Sequence, residues 1–83
     1  MTREQIIDKL SVIFKNVFED DTIVVHDLLT AQDVKRWDSI SNISMIDKVE
    51  KEFEIRLKLK EVVSMQNVGD LINAVFAKFN NPY

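Results

Sequence analysis

Cysteine is absent from the 83 residues, which excludes disulfides, thiolate metal sites and cysteine nucleophiles. One histidine, His26, leaves no cluster for zinc, and one glycine, Gly69, leaves no Gly-rich loop to cradle a nucleotide. Basic residues are outnumbered, eleven against fourteen acidic, and the net charge of -3 argues against nucleic acid as a partner. No apolar run approaches the ~18 residues of a membrane span. The start MTREQ lacks the basic-then-apolar layout of a secretory signal, so a cytoplasmic protein is expected. Without a nucleophile beside a base, paired carboxylates in a cleft or a metal set, an enzyme is not expected.

What is present is a globular balance, 46% hydrophobic with 30% charged residues, and residues 1–83 read as one domain without repeats or linkers. Thr2 and Gln5 form a capping box, and Ile6, Ile7, Leu10, Ile13, Phe14 and Val17 share one face, so a first helix is expected from Arg3 to Phe18. Glu19 to Asp33 holds five acids and no lysine or arginine. It reads as a long loop pinned by Ile23, Val24, Val25, Leu28 and Leu29, since a lone strand could not satisfy its backbone. Thr30 to Asp33 can cap one short turn, and Trp37 is read as an apolar anchor at the next helix entrance.

Ser39 is a fitting N-cap for a second helix to Phe53, with Ile43, Ile46, Val49 and Phe53 as its inward stripe. Ile40 and Met45 lie about 120° and about 100° from the stripe's centre, which places both at its margins, open to a ligand or partner. The alternating run from Glu54 to Leu59 is expected as an extended plug pointing Ile55, Leu57 and Leu59 inward. A short turn should follow from Lys60 to Met65. Asn67 caps a last helix ending near Phe79 at the Asn80, Asn81, Pro82 stop, with Gly69 weakening its first turn. Val68, Leu71, Ile72, Val75, Phe76 and Phe79 trace its stripe. His26, Asp20 and Asp21 read as solvated loop residues, and Glu50 with Glu54 as exposed charge.

An Asp-Ser pair at a helix start is by itself only a cap. Followed by Ile40, Ile43, Met45, Ile46, Val49, Glu50, Phe53 and Ile55, however, Trp37-Asp38-Ser39-Ile40 resembles the acyl carrier protein family. In that family a D-S-aliphatic motif opens the second helix and a pattern like L-E-x-x-F-x-I closes it. The order of helices and the segment Asn67 to Ile72 extend the resemblance over nearly the whole chain.

The resemblance implies an all-α four-helix bundle with three longer helices and one short one. It implies that Ser39 receives 4'-phosphopantetheine from coenzyme A through a separate phosphopantetheinyl transferase, with Asp38 positioning that complex. Acyl groups would then ride as thioesters between acyl-loading and acyl-processing enzymes, the carrier acting as a monomer. A phosphodiester at Ser39 would meet free backbone N–H groups and the positive end of the helix dipole. Ile40 and Met45, with Asp47 and Glu50 of a helix that sets five acids against two lysines over residues 38–54, would make the partner-binding face.

Ser41 and Ser44 stand where the fatty-acid type of the family carries acids, and Trp37 replaces a small residue. These departures point to a specialised acyl, polyketide or lipid pathway. An aminoacyl carrier, D-alanyl or peptidyl, and an unmodified helical adaptor are the alternatives.

Overall fold

A computed structural model describes residues 1–80 and contains four α-helices: α1 (Arg3–Val17), α2 (Ser39–Phe53), α3 (Leu59–Ser64) and α4 (Val68–Asn80). A 3-10 turn, Ala31–Asp33, interrupts the first connection, and no strand occurs among the described residues. The expected stop at Asn81 and Pro82 lies outside the described residues.

α1 starts as its capping box demands. The Gln5 amide donates to Thr2 Oγ1 at 3.1 Å, and the Thr2 amide donates back to Gln5 Oε1 at 2.8 Å. Its end is set by Glu19, whose φ of 51° lies in the left-handed region where a helix cannot continue. Ile6, Leu10, Phe14 and Phe18 recur every four residues and are sealed from solvent. This row packs α1 against α2 and α4, and each such side chain contributes about 1.5–3 kcal/mol through burial.

The loop is pinned by fewer anchors than its composition suggested. Ile23, Val25 and Leu29, joined by Val34, are buried, whereas Val24 and Leu28 are largely exposed. Extended backbone alternates its side chains, so neighbours such as Ile23, Val24 and Val25 cannot all point inward. The loop is also hydrogen-bonded to the start of α4. The Val68 amide donates to Leu29 O at 2.8 Å and the Gly69 amide to Asp27 O at 2.9 Å, which satisfies two first-turn donors that a helix leaves unpaired. Gly69 is required for this approach, because a Cβ there would lie 2.7 Å from Asp27 O. Arg3 fastens the same loop from α1 through its ion pair with Asp27 at 2.8 Å.

α2 stops at Glu54, which adopts the left-handed conformation at φ 55°. Leu57 is buried and Ile55 half-buried, as expected, but Leu59 is 79% exposed and opens α3 instead of plugging the bundle. The alternation breaks there because the chain turns helical one residue earlier than expected. On α4, Val68, Leu71, Ile72 and Val75 are buried, whereas Phe76 and Phe79, expected on the same stripe, are exposed.

Candidate functional site

The residue that caps α2 is Asp38, not Ser39. Asp38 Oδ1 accepts the Ile40 amide at 3.0 Å and the Ser41 amide at 2.9 Å, and its carbonyl accepts the Asn42 amide at 2.9 Å. Ser41 closes the box in the place that Glu or Gln commonly takes, its hydroxyl accepting the Asp38 amide at 2.8 Å and donating to Arg36 O at 2.7 Å. The Ser41 amide foremost, with the Ser41 side chain next, holds the Asp38 carboxyl below the usual aspartate range. A fixed negative charge therefore stands next to Ser39 at neutral pH.

This cap decides the state of Ser39. As the first helical residue it is exposed, and its hydroxyl makes no hydrogen bond among the described residues. Had Ser39 been the cap, its oxygen would have been spent on a backbone amide. The expectation that several free N–H groups would await an anion is corrected in the same way. The amides of Ile40, Ser41 and Asn42 are already taken by Asp38, leaving the amide of Ser39 itself together with the helix dipole.

Ser39 opens onto a cleft of about 420 Å³, lined on its apolar side by Met45 and Ile46 of α2, Val62 of α3 and Met65 just after it, and Val68 and Leu71 of α4. Trp37 forms part of the wall and is anchored as expected. Its ring meets Phe14 edge-on at 5.4 Å and lies tilted over Phe18 at 5.2 Å, while Nε1 donates to Asn42 Oδ1 at 2.8 Å.

A scan against protein-family models gives no match, and neither does a search of curated proteins. Among solved structures, the holo acyl carrier protein of Geobacter metallireducens, determined in solution by NMR, matches with a TM-score of 0.86. The two are 37% identical, and the alignment covers 92% of this chain and 87% of that one. The chain belongs to the acyl carrier protein family. It is a carrier and not an enzyme, as the shortage of catalytic groups had led one to expect.

The outer surface of this acyl carrier protein differs from expectation at two residues of α2. Met45 is only 2% exposed and belongs to the core, whereas Ile43, expected inward, is 70% exposed. Two residues apart on a helix are about 200° apart, so one of the pair had to face solvent. The buried row is Met45, Val49 and Phe53, at intervals of four, with Ile46 at its edge. Ile40 is exposed at 78%, as its marginal position required, and with Ile43 it gives α2 two apolar residues on the outside. Periodicity located the stripe but not its edges, and so Ile43 was missed as a surface residue.

Several acids of the expected docking face have local duties. Glu50 is half-buried and its carboxylate accepts the Leu57 amide at 2.8 Å, clamping the segment after α2. Asp47 is exposed and pairs with Lys51 at 3.0 Å, and Glu52 reaches Lys9 at 3.8 Å. Exposed pairs of this kind contribute only about 0–1 kcal/mol, so Asp47 can exchange Lys51 for another cation at little cost. His26 is an exposed loop residue whose Nδ1 accepts the Leu28 amide at 3.2 Å. Among the described residues no group of three or more histidine or acidic side chains could hold a metal, and no helix is long and apolar enough to cross a membrane.

Proposed function

We propose that this chain is a discrete carrier that bears 4'-phosphopantetheine on Ser39 and holds acyl groups on it as thioesters. The observation that carries the reading is the free, exposed hydroxyl of Ser39 at the first position of a 15-residue helix, released from capping by Asp38. The residues present fit the group: the hydroxyl is an unhindered acceptor for phosphoryl transfer, the helix start favours the anionic link, and the cleft beside it has an apolar side. When bound, the arm supplies a terminal thiol that the cysteine-free chain lacks.

Asp38 contributes in two ways. It fixes the first turn so that the Ser39 hydroxyl faces outward, and its charge, with one carboxylate oxygen left out of the capping bonds, attracts the transferase or its metal ion. Ile40 and Ile43, with Asp47 beside them on the open side of α2, would form the contact for a phosphopantetheinyl transferase and for acyl-loading and acyl-processing enzymes. The chain would work as a cytoplasmic monomer and as a single carrier domain. Ser41 serves the capping box, so its replacement of an acid keeps the first turn intact while lowering the charge that fatty-acid partners read. That favours a specialised acyl, polyketide or lipid pathway.

Asn42, Gln66 and Asn67 also line the cleft, and these amide side chains support an aminoacyl cargo as the second reading. Parallel loading assays with fatty-acyl and amino-acid ligases separate the two. The decisive experiment is to incubate the apo chain with coenzyme A, magnesium and a broad-specificity transferase and record the intact mass. One phosphopantetheine is expected on the wild type and none on Ser39→Ala. No addition removes the carrier reading in favour of an unmodified adaptor, and equal addition to both removes Ser39 as the attachment point.

A further inference from the structure

The short helix α3 turns two large apolar side chains away from the core. Leu59 is 79% and Val63 is 72% exposed, and four residues apart they lie side by side on one face. Lys60 lies on the same open side, and Lys58 immediately precedes the helix; both are exposed. The acid of α3 faces the other way and is committed: Glu61 pairs with Lys78 at 3.0 Å and accepts the Lys58 amide at 3.0 Å.

Elsewhere Arg3, Lys9, Arg36, Lys51 and Lys78 stand in ion pairs, whereas Lys15, Lys35, Lys48 and Arg56 have none among the described residues; Lys58 and Lys60 differ from these four in flanking the exposed Leu59. Among the described residues Lys60 has no ion pair, and Lys58 feels Glu61 only through longer-range attraction. A chain of net charge -3 thus carries a local spot that is both apolar and positive.

We propose that the outer face of α3 is a docking surface for a partner protein that presents carboxylates around an apolar socket. Its position rests on the carrier reading, because Val62 of the same helix and Met65 just after it line the cleft that Ser39 opens. A partner seated on Leu59 and Val63 stands beside the root of the arm. Asp38 lines that cleft and is negative, while Lys58 and Lys60 are positive at the start of the helix whose Val62 lines it. A surface of one sign steers an approach, but two lobes of opposite sign also fix the rotation of the docked pair. An anionic lipid surface fits less well, since it would meet the repulsion of the whole acidic chain and of Asp38 in particular.

The test is an amide NMR titration of the full chain with three probes: a helical peptide of leucine and glutamate, the same peptide with lysine for glutamate, and phosphatidylglycerol vesicles. The glutamate peptide is expected to shift the amides of residues 58–64. Lys58→Glu/Lys60→Glu should weaken it about tenfold, the sum of two modest charge contacts, and transfer preference to the lysine peptide. Leu59→Ser/Val63→Ser should weaken it comparably, because charge alone does not fill a socket. As a carboxylate at position 58 would crowd Glu61, Lys60→Glu alone, expected to cost about threefold, keeps the test valid if the double variant loses helicity.

Absence of shifts on α3, an affinity indifferent to these substitutions, or shifts with vesicles but not with peptide would each overturn the proposal. Transferase loading of Ser39 is measured alongside. A wild type that loads but ignores the peptide sinks the α3 surface alone, and one that binds the peptide on α3 but never loads sinks the carrier reading.

Discussion

Replacing Gly69 with alanine sets two known effects against each other, and the structure decides the sign. Alanine is favoured over glycine inside a helix by about 1 kcal/mol, so a helix considered alone would be strengthened. Here the new Cβ would lie 2.7 Å from Asp27 O and 3.2 Å from Asp27 Cα, both backbone atoms that cannot rotate away. Ordinary contact begins at 3.4 Å, so the loop must retreat by roughly 0.7 Å.

That movement stretches the 2.9 Å bond from the Gly69 amide to Asp27 O and strains the 2.8 Å bond from the Val68 amide to Leu29 O. Two weakened hydrogen bonds, at about 0.5–1.5 kcal/mol each, and a slackened Leu29 anchor outweigh the helix gain and leave a net loss of about 1–2 kcal/mol. For a domain of this size that is a fall in Tm of roughly 4–16 °C. Thermal melts by far-UV circular dichroism read the loss, and hydrogen exchange should show the amides at positions 68 and 69 opening first. A Tm equal to or above that of the wild type, with those amides as protected as before, would refute the reasoning.

Met45→Ala should cost about 2–4 kcal/mol by opening a hole beside Val49, whereas Ile43→Ala, two residues away, should change stability by less than about 0.5 kcal/mol; urea denaturation of both variants compares them directly. Equal costs would mean that α2 is rotated from the orientation described. The Asp38 carboxyl is held below its ordinary value by the Ser41 amide foremost, so its contribution is complete above the unfolded-state pKa and is lost as pH falls through the lower folded value. Asp38→Asn keeps a capping oxygen but not the charge. Its Tm should therefore lie below that of the wild type at neutral pH, and the two should converge only as pH falls below the ordinary aspartate range and through the lower folded value. A constant difference across that range would show that the charge has no part in the cap.

The helices were legible because their signals are local. A capping box at Thr2 and Gln5 and a row of apolar residues every four positions need no knowledge of the rest of the molecule, and α1 follows them closely. What failed depended on partners distant in sequence. Whether Ile43 or Met45 goes inside is set by how α2 lies against α1 and the cleft, and both rotations bury an apolar row. Gly69 looked like a flaw in a cap until the Asp27 carbonyl, forty-two positions earlier, was found against it. At the site, the motif located Ser39 correctly on the surface, but composition could not tell which of two adjacent capping residues would take the amides.

That last distinction carries a physical consequence for any carrier built this way. A helix start has donors to satisfy, and the nearest hydroxyl is the natural group to satisfy them. If Ser39 did so, every modification would begin by breaking a cap and starting the helix one turn later, and the arm would be tied to a fraying end. Placing an aspartate one position earlier separates the two tasks. Asp38 accepts the amides of Ile40 and Ser41 and Ser41 accepts the Asp38 amide, none of these bonds using the Ser39 hydroxyl, so the proposed modification would leave them in place. On the proposed reading the first turn would stay fixed as cargo changes, so Ile40 and Ile43 would keep one geometry for each partner in turn.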